Sequence, residues 1–307
     1  MPIKTNILLA PHTYFKLGGF ADYFVEAKTT QELIRAVQSA IKQKLPYLIL
    51  GSGSNVLISD QGYRGMVIKN KATNILLKGF AGGVAKGKID LKEAIVQADS
   101  GVPSNQLIRY TLDQGLAGLE SFLGLPGTIG GAIYNNSHHL GELIGNRVVE
   151  VQVLDQSGKI KKYTQQECQF AYDYSIFHKT KETILSVSFL LKQGDKTQLW
   201  ELANAAVKRR STTQPLGLPS SGCIFKNLAL SDQLRLGLPT QSVGYLIDRA
   251  GLKGARIGGA SVSDVHANFI VNDGTATCQD VLDLIAKIKS IIKAKYAVNL
   301  ELEVVVI

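Results

Sequence analysis

The sequence lacks the hydrophobic segments of secreted and membrane-spanning proteins. Its apolar stretch near the N-terminus, Ile7 to Ala10, is too short for the core of a signal peptide. No window approaches the ~18 apolar residues of a spanning helix. The 3 cysteines are too few and too scattered for a disulfide framework or a zinc site, which agrees with a reducing compartment. We therefore expect a cytoplasmic protein without disulfides, bound metal or membrane insertion.

Long runs of like charge are also missing, although the net charge is +9. The basic residues are dispersed, and the densest groups, such as residues 208–210, lack the interleaved aromatics of an RNA-binding surface. We therefore expect no nucleic-acid partner. A solvated lysine-rich surface explains most of the charge, and a site for a phosphorylated ligand would explain a smaller, local part.

Length and hydrophobic content predict a globular chain of several lobes. The 307 residues exceed one domain of ~100–150 residues, and 45% of them are hydrophobic. Apolar spacing and glycine stops predict helices and short strands in irregular order, which indicates an α+β fold and not a regular βαβ alternation. The helices are predicted at residues 30–44, 104–114 (capped by Ser104 or Asn105), 199–210 and 279–295, and the strands include "LPYLIL", "VLIS", "HANFIVN" and the closing "LELEVVVI".

Two glycine-rich stretches predict close approach of the backbone to a ligand. In "GSGSN", residues 51–55, glycines and short polar side chains allow several N–H groups to converge on an anion. The stretch is not a dinucleotide fingerprint, because Val56 and a strand follow it, and a plain hairpin turn remains an alternative. The second stretch, residues 115–136, holds six glycines, too many for an ordinary helix or strand. Together the two loops indicate one extended ligand, such as a dinucleotide.

The stretch "SSGCIFKN", residues 220–227, is the main candidate for side-chain chemistry. Cys223 is either a packing residue or, on this polar turn, a proton donor, since a thiol releases its proton more readily than a hydroxyl. Lys226 and Asn227 could bind a phosphorylated substrate beside it. A Cys/His hydrolase with His266 as the partner of Cys223 is a further alternative.

Other polar residues carry weaker signals. His138 and His139 are adjacent on a loop, a spacing that suits a surface or ligand-lining role better than one metal. Glu301 and Glu303 share one face of the predicted closing strand. That face is either solvated or lines a cleft, where one glutamate could hydrogen-bond a catalytic centre.

These stretches, in their order and spacing, resemble the UDP-N-acetylenolpyruvoylglucosamine reductases, flavin enzymes of bacterial cell-wall synthesis. The resemblance runs nearly from end to end of the chain, and its motifs are "NILLAPHTYFKLGGFADYFVEAKT", "LILGSGSNVLISDQGYRGMVIK", "GLAGLESFLGLPGTIGGAIYNN", "AYDYSIF", "QPLGLPSSGCIFKN", "VGYLIDRAGLKGARIGGASVSDVHANFIVN" and "LELEVVV". No tyrosine loop is inserted between the FAD and substrate lobes, so the chain is similar to the shorter subtype.

The resemblance implies a fold, cofactors and a reaction. The fold would be a two-lobed FAD-binding region of the vanillyl-alcohol-oxidase (PCMH) type, residues 1–70 and 71–195, followed by an α+β substrate-binding domain, residues 196–307. NADPH would reduce FAD, which would reduce UDP-N-acetylglucosamine enolpyruvate to UDP-N-acetylmuramate for peptidoglycan synthesis. The alternatives are a related flavin oxidoreductase with another substrate and a catalytically impaired nucleotide-binding homologue.

The resemblance also implies roles for individual residues. Cys223 would be the proton donor, a position that is commonly serine in the family, and Glu303 would lie beside the reacting carboxylate. The residues that would contact FAD are Gly51, Ser52, Gly53, Ser54 and Asn55 at the pyrophosphate, and Pro126, Gly127, Thr128, Gly130 and Gly131 at the flavin. The residues that would bind the substrate are Lys226, Asn227, His266 and Asn268.

Two departures from the family pattern stand out. Where the family has Tyr-Arg-x-Ser, with an arginine that polarises the substrate carboxylate, this chain has Asp173 in "YDYS". An aspartate cannot stabilise a developing enolate, so another cation is expected to serve, with Lys226, Arg209 and Arg249 as candidates. In "VQADSGVP", Asp99 and Ser100 replace a usual glycine-alanine pair near the flavin.

Overall fold

The computed structural model describes residues 1–85 and 88–307, with the backbone alone for residues 81–85 and 88–91. The helices are α1 Thr30–Lys42, α2 Ser104–Asp113, α3 Ile129–Tyr134, α4 Phe177–Thr180, α5 Lys196–Thr213, α6 Leu230–Arg235, α7 Val243–Arg249 and α8 Cys278–Tyr296. The strands are β1 Lys4–Leu8, β2 Phe20–Ala27, β3 Tyr47–Leu50, β4 Val56–Leu57, β5 Tyr63–Asn70, β6 Ile75–Ala85, β7 Lys88–Asp99, β8 Leu116–Ala117, β9 His138–His139, β10 Glu142–Leu143, β11 Val148–Leu154, β12 Ile160–Thr164, β13 Thr183–Gln193, β14 Arg256–Ile257, β15 Ala260–Val262, β16 Ile270–Asn272 and β17 Val305–Val306.

The chain forms two compact units, and each is built from several segments. The first unit contains residues 1–5, 23–52 and 65–210, and the second contains residues 6–22, 53–64 and 211–307. The chain passes from the first unit to the second between Ser52 and Gly53, inside the first glycine loop.

The first unit is organised around an antiparallel sheet with helices packed on it. Strands β12, β11, β13, β7 and β6 follow one another in that order, and β8 also pairs with β13. The central strand β13 is buried along most of its length, because its apolar residues pack with those of α2 and α3 in one core. Helix α1 begins where the Thr29 hydroxyl accepts a hydrogen bond from Glu32 N at 3.2 Å, and its apolar face packs with Met66 and Ile68 in a second core.

The second unit packs helices α7 and α8 around a small antiparallel sheet. The sheet has the order β14, β15, β16, and the apolar face of α8 enters the same core as Phe15, Ile224 and Phe225. A capping box of Thr277 and Asp280 starts α8. The predicted helix at 279–295 and the α+β class are therefore confirmed.

The structure differs from the sequence expectations in three local features. No side chain caps α2, which follows Pro103, because Asn105 Oδ1 instead accepts a hydrogen bond from Gly124 N at 2.7 Å. The second glycine stretch contains a short helix, α3, although its glycines argue against one. The closing strand is reduced to β17, because residues before it form a single bridge, Phe225 to Leu302.

Among the described residues, no helix is both long and apolar enough to cross a membrane.

Candidate functional site

The two glycine-rich stretches meet in the first unit. A Cβ at Gly51 would lie 2.5 Å from the Thr128 hydroxyl oxygen, so any side chain at position 51 would collide with the second loop. Thr128 itself is buried and forms an isolated bridge with Pro103. Glycine at position 51 therefore allows the two loops to touch.

Backbone hydrogen bonds fix the shape of the second loop. Gly127 has a φ of +134°, and its carbonyl accepts a hydrogen bond from Ser104 N at 3.1 Å. Gly130 N donates to the Ser100 carbonyl at 2.7 Å, and a Cβ at Gly130 would lie 2.9 Å from the Ser100 Cβ. The unusual Ser100 is accommodated within the protein, since its hydroxyl accepts a hydrogen bond from Asn70 Nδ2 at 2.8 Å.

Gly131 differs from these glycines because no protein atom requires it. The residue is exposed, its φ is not in the left-handed region, and a Cβ there would have only the Thr128 hydroxyl nearby, at 3.8 Å. Glycine inside a helix costs about 1 kcal/mol relative to alanine. An open, bare backbone at this point would allow the close approach of a ligand.

Basic side chains lie close to the second glycine stretch. The pKa of His139 is lowered, mainly by burial and also by the positive charges of Arg210 and Arg209. His139 Nδ1 lies 2.6 Å from the Ser121 carbonyl, and a Cβ at Gly124 would touch the Arg210 side chain at 3.4 Å. Positive charge therefore lies beside the second loop, where it would favour an anionic ligand.

In the second unit, a network of backbone and amide bonds holds the segment around Cys223. Ile224 N donates to the Asn268 carbonyl at 2.8 Å, and Cys223 forms a bridge with Phe269. The Asn268 side chain accepts from Phe225 N at 3.0 Å and donates to the Phe225 carbonyl at 2.7 Å. Asn268 thus fixes the backbone immediately after Cys223. Cys223 is half-buried, and Gly222, which precedes it, has a left-handed φ of +81°.

The same segment lies beside the predicted catalytic glutamate. Glu303 N donates to the Ile224 carbonyl at 2.9 Å. Glu303 is therefore paired with the residue that directly follows Cys223. Asn55, at the end of the first glycine loop, donates from Nδ2 to the Glu303 carbonyl at 3.2 Å and accepts at its own carbonyl from Val305 N. Cys223, Glu303 and Asn55, which are distant in sequence, are therefore brought together.

Exposure separates the two glutamates that the sequence placed on one face. The Glu301 side chain is 78% exposed and lies 3.9 Å from Lys226 Nζ, whereas Glu303 is half-buried. Lys226 N donates to the Glu301 carbonyl at 3.0 Å, so Lys226 belongs to the same pairing, and Asn227 follows it at the surface. The structure thus groups Lys226 and Asn227 with Cys223 and Glu303.

His266 lies on the loop that precedes Asn268. Its Nδ1 accepts a hydrogen bond from Asn268 N at 3.2 Å, and its ring contacts the edge of the Phe269 ring. Burial lowers the pKa of His266, which favours the neutral imidazole. A Cβ at Gly244 would lie 2.9 Å from this ring, so glycine at the second position of α7 makes room for it.

One group of the first unit was missed by sequence reasoning. Asp173 is buried, with a left-handed φ of +49°, and its Oδ1 lies 3.1 Å from His138 Nδ1. Lys226, Arg209 and Arg249 are the candidates from the sequence to replace the family arginine, but the side chain that lies against Asp173 is that of His138. The His138–His139 pair is noted from the sequence alone. The contact with Asp173 could not be predicted, because His138 and Asp173 are far apart in the sequence.

The remaining cysteines have surroundings unlike those of Cys223. Cys168 and Cys278 are both buried, and burial raises the pKa of Cys168 to about 12 and that of Cys278 to about 11. Within residues 1–85 and 88–307, no cluster of histidine, cysteine, aspartate and glutamate could hold a metal ion.

Comparisons with known families match both parts of the chain. A family model described as "FAD binding domain" matches residues 21–164, and one described as "UDP-N-acetylenolpyruvoylglucosamine reductase, C-terminal domain" matches residues 214–307. Both matches agree with the order of an FAD-binding region followed by a separate C-terminal domain.

Similar whole proteins lead to the same family. UDP-N-acetylenolpyruvoylglucosamine reductase of Carboxydothermus hydrogenoformans is 35% identical over 100% of this chain and 94% of its own, and that of Alkaliphilus oremlandii is 36% identical over 95% and 89%. The crystal structure of the Thermus caldophilus reductase is 31% identical, covers 100% of this chain and 99% of its own, and superposes with a TM-score of 0.79. The chain therefore belongs to the UDP-N-acetylenolpyruvoylglucosamine reductases, a family of FAD-dependent oxidoreductases.

Proposed function

We propose that this chain reduces UDP-N-acetylglucosamine enolpyruvate to UDP-N-acetylmuramate, with FAD as cofactor and NADPH as reductant, in the synthesis of peptidoglycan precursors. The observation that carries the proposal is the assembly of Cys223, Glu303, Lys226 and Asn227 through one backbone pairing. Full-length similarity to the family supports it. We place the reaction in the cytoplasm, as the sequence predicts.

The residues of the glycine loops would hold FAD. Gly51 and Ser52 of the first unit, followed by Gly53, Ser54 and Asn55 of the second, offer short side chains and accessible backbone amides that suit a pyrophosphate. Residues 126–128, Gly130 and Gly131 would face the flavin. When bound, FAD would transfer the hydride of NADPH to C3 of the enolpyruvyl group.

Cys223 would complete the reduction by supplying a proton. Hydride addition at C3 leaves an electron pair at C2 that is shared with the neighbouring carboxylate. The Cys223 Sγ–H bond breaks, its proton forms the new C2–H bond, and the thiolate regains a proton from solvent before the next turnover. This role needs a thiol that is accessible and held in place, which agrees with its half-buried position and the fixed backbone of Ile224 and Phe225.

The neighbouring residues would bind and orient the substrate. Glu303 would lie beside the reacting carboxyl group and orient the proton donor, while Lys226 and Asn227 would bind the diphosphate. Asn268 would act chiefly by holding Phe225, and we also retain it, with His266, as a substrate-binding residue. His266 as a neutral imidazole can accept or donate a hydrogen bond to the sugar nucleotide.

Asp173 is the observation that favours a different outcome. A carboxylate at the position of the family arginine would repel a carboxylate substrate, which supports either a flavin oxidoreductase with another substrate or an impaired nucleotide-binding homologue. The adjacent His138 weakens that alternative, because its Nδ1 lies 3.1 Å from Asp173 Oδ1, so this carboxylate already has a partner within the protein.

Two measurements on the purified chain test the proposed function. We expect a yellow protein with the absorbance of an oxidised flavin, and NADPH oxidation that depends on UDP-N-acetylglucosamine enolpyruvate. A correctly folded protein that remains colourless after incubation with FAD would contradict the flavin assignment. A yellow protein that oxidises NADPH at the same rate with and without the enolpyruvate would contradict the substrate assignment.

A further inference from the structure

Glu303 lies between two fixed points of the second unit. Before it, Leu302 forms an isolated bridge with Phe225, and Glu303 N itself donates a hydrogen bond to the Ile224 carbonyl at 2.9 Å. After it, strand β17 begins at Val305. Glu303 is outside regular strand structure, so its carbonyl must find a partner other than a neighbouring strand of a sheet.

Asn55 supplies that partner and binds the same segment at two points. Its Nδ2 donates to the Glu303 carbonyl at 3.2 Å, and its own carbonyl accepts a hydrogen bond from Val305 N at 3.1 Å. Directly after Asn55, strand β4 runs parallel to β17, with Val56 opposite Val305. The Asn55 side chain therefore holds the backbone of the proposed catalytic glutamate.

The loop that carries Asn55 is itself fixed from its other side. Gly53 has a left-handed φ of +73°, and a Cβ there would lie 2.6 Å from the His12 carbonyl oxygen. The Gly53 carbonyl accepts a hydrogen bond from Tyr14 N at 2.9 Å. The contacts of Gly53 and of Asn55 all lie within the second unit. Asn55 thus holds Glu303 from a firmly packed turn.

We propose that Asn55 is a positioning residue of the reaction, which acts by fixing the Glu303 backbone beside Cys223. The inference rests on the proposed function, in which Glu303 orients the proton donor. The Asn55 side chain serves Glu303 and leaves the backbone of the loop for the pyrophosphate. Because Glu303 N bonds to the residue after Cys223, a shift of the Glu303 segment changes the geometry between the two proposed catalytic side chains.

A comparison of FAD affinity with reaction rate separates this role from a direct contact with the cofactor. In Asn55→Ala with saturating FAD, we expect flavin reduction by NADPH to keep its rate and flavin reoxidation by the enolpyruvate substrate to slow about tenfold. The Kd for FAD, measured by fluorescence titration, should rise by less than about threefold. An unchanged reoxidation rate in the loaded protein would overturn the proposal, whatever the change in FAD affinity.

A double-mutant cycle tests whether Asn55 acts through Glu303. Glu303→Ala should slow reoxidation at least as much as Asn55→Ala, because it removes the side chain that Asn55 positions. Once that side chain is gone, the further change Asn55→Ala should slow the reaction by less than about twofold. Asn55→Ser, which keeps a shorter donor, should have a rate between those of Asn55→Ala and the wild type. If the effects of the two alanine substitutions multiply, Asn55 acts independently of Glu303 and the proposal is wrong.

Hydrogen exchange tests the contact without catalysis. In the full chain with FAD added, mass spectrometry of the peptide 300–307 should show the Val305 amide exchanging about tenfold faster in Asn55→Ala, because the segment has lost its bond to Nδ2. Gln233→Ala is the matched control, since it removes a bond of the same kind in the same unit, from Nε2 to the Leu238 carbonyl at 3.1 Å. The control should change neither the exchange nor the kinetics. Unchanged exchange in Asn55→Ala would overturn the proposal.

The three measurements distinguish failure of this inference from failure of the proposed function. A wild-type flavin that the enolpyruvate fails to reoxidise would contradict the proposed function, and the exchange experiment would still decide whether Asn55 holds the Glu303 segment. If Asn55→Ala does not fold, Asn55→Asp takes its place, because it keeps the size of the side chain and replaces the donor with an acceptor. A wild-type reoxidation rate in Asn55→Asp would then overturn the proposal.

Discussion

The contact between the glycine loops at Gly51 and Thr128 in the first unit and the Cys223 segment of the second unit are built differently. At Gly51 and Gly130, a Cβ would collide with protein atoms, so the loops require residues without a side chain at these two positions. Around Cys223, the groups with a proposed function are side chains, and hydrogen bonds of Asn268 and Glu303 hold the backbone that carries them. Substitutions in the glycine loops should therefore reduce stability and FAD binding. Substitutions around Cys223 should instead slow one step of the reaction.

The largest difference is expected from Cys223→Ala. Loss of the proton donor should lower turnover by ~10²–10⁴ while flavin reduction by NADPH stays normal, because the thiol takes no part in that half-reaction. Stopped-flow absorbance of the flavin measures both steps. Cys223→Ser, which keeps a protic group, is the matched control and should retain far more activity than the alanine variant. Full turnover in Cys223→Ala would remove Cys223 from the mechanism.

Thiol reactivity should distinguish Cys223 from the two buried cysteines, Cys168 and Cys278. Cys168 and Cys278 are buried, with pKa values raised by burial to about 12 and about 11, so few of their thiols ionise at neutral pH. We expect iodoacetamide to modify Cys223 at least about 100-fold faster than either of them in the folded protein. Peptide mapping of the modified protein identifies the site, and all 3 cysteines should react after denaturation. Prior labelling of Cys168 would contradict the arrangement.

Sequence reasoning succeeded where the signal was local and failed where it depended on distant contacts. The apolar spacing of α1 and α8 predicted those helices because one face of each packs in a core. The closing strand was predicted too long, since alternation at Glu301 and Glu303 does not reveal that only an isolated bridge forms there. The partner of Asp173 could not be predicted, because His138 lies 35 positions earlier and meets it only through the folded end of α3.

A smaller effect is expected from the contact between the two glycine loops. Gly51→Ala places a Cβ against the Thr128 hydroxyl, and the strain should lower the free energy of unfolding by about 1–3 kcal/mol and reduce the FAD retained. Replacing Thr128 with alanine as well removes that oxygen, so the double variant should recover much of the loss. Thermal unfolding and flavin content per chain measure both effects.

Gly79→Ala is the matched control for this contact. A Cβ at Gly79 would meet no atom within 4 Å, so its variant should unfold within about 0.5 kcal/mol of the wild type and keep its flavin. Equal damage from Gly51→Ala and Gly79→Ala would mean that the contact between the loops is not the cause.

The smallest effect should come from two half-buried histidines, His139 and His266, one beside each region. Burial lowers the pKa of both His139 and His266, so below about pH 6.5 the unfolded chain binds more protons than the folded one. Their contribution to stability is therefore complete above that pH and is lost as the pH falls through the folded-state values. His266→Gln, which cannot take up the proton, should reduce the drop in Tm between pH 7.5 and 5.5 by on the order of 1–3 °C. If the Tm of His266→Gln falls as steeply as that of the wild type, His266 is already protonated in the folded protein. The assignment of a neutral imidazole beside Asn268 would then be wrong.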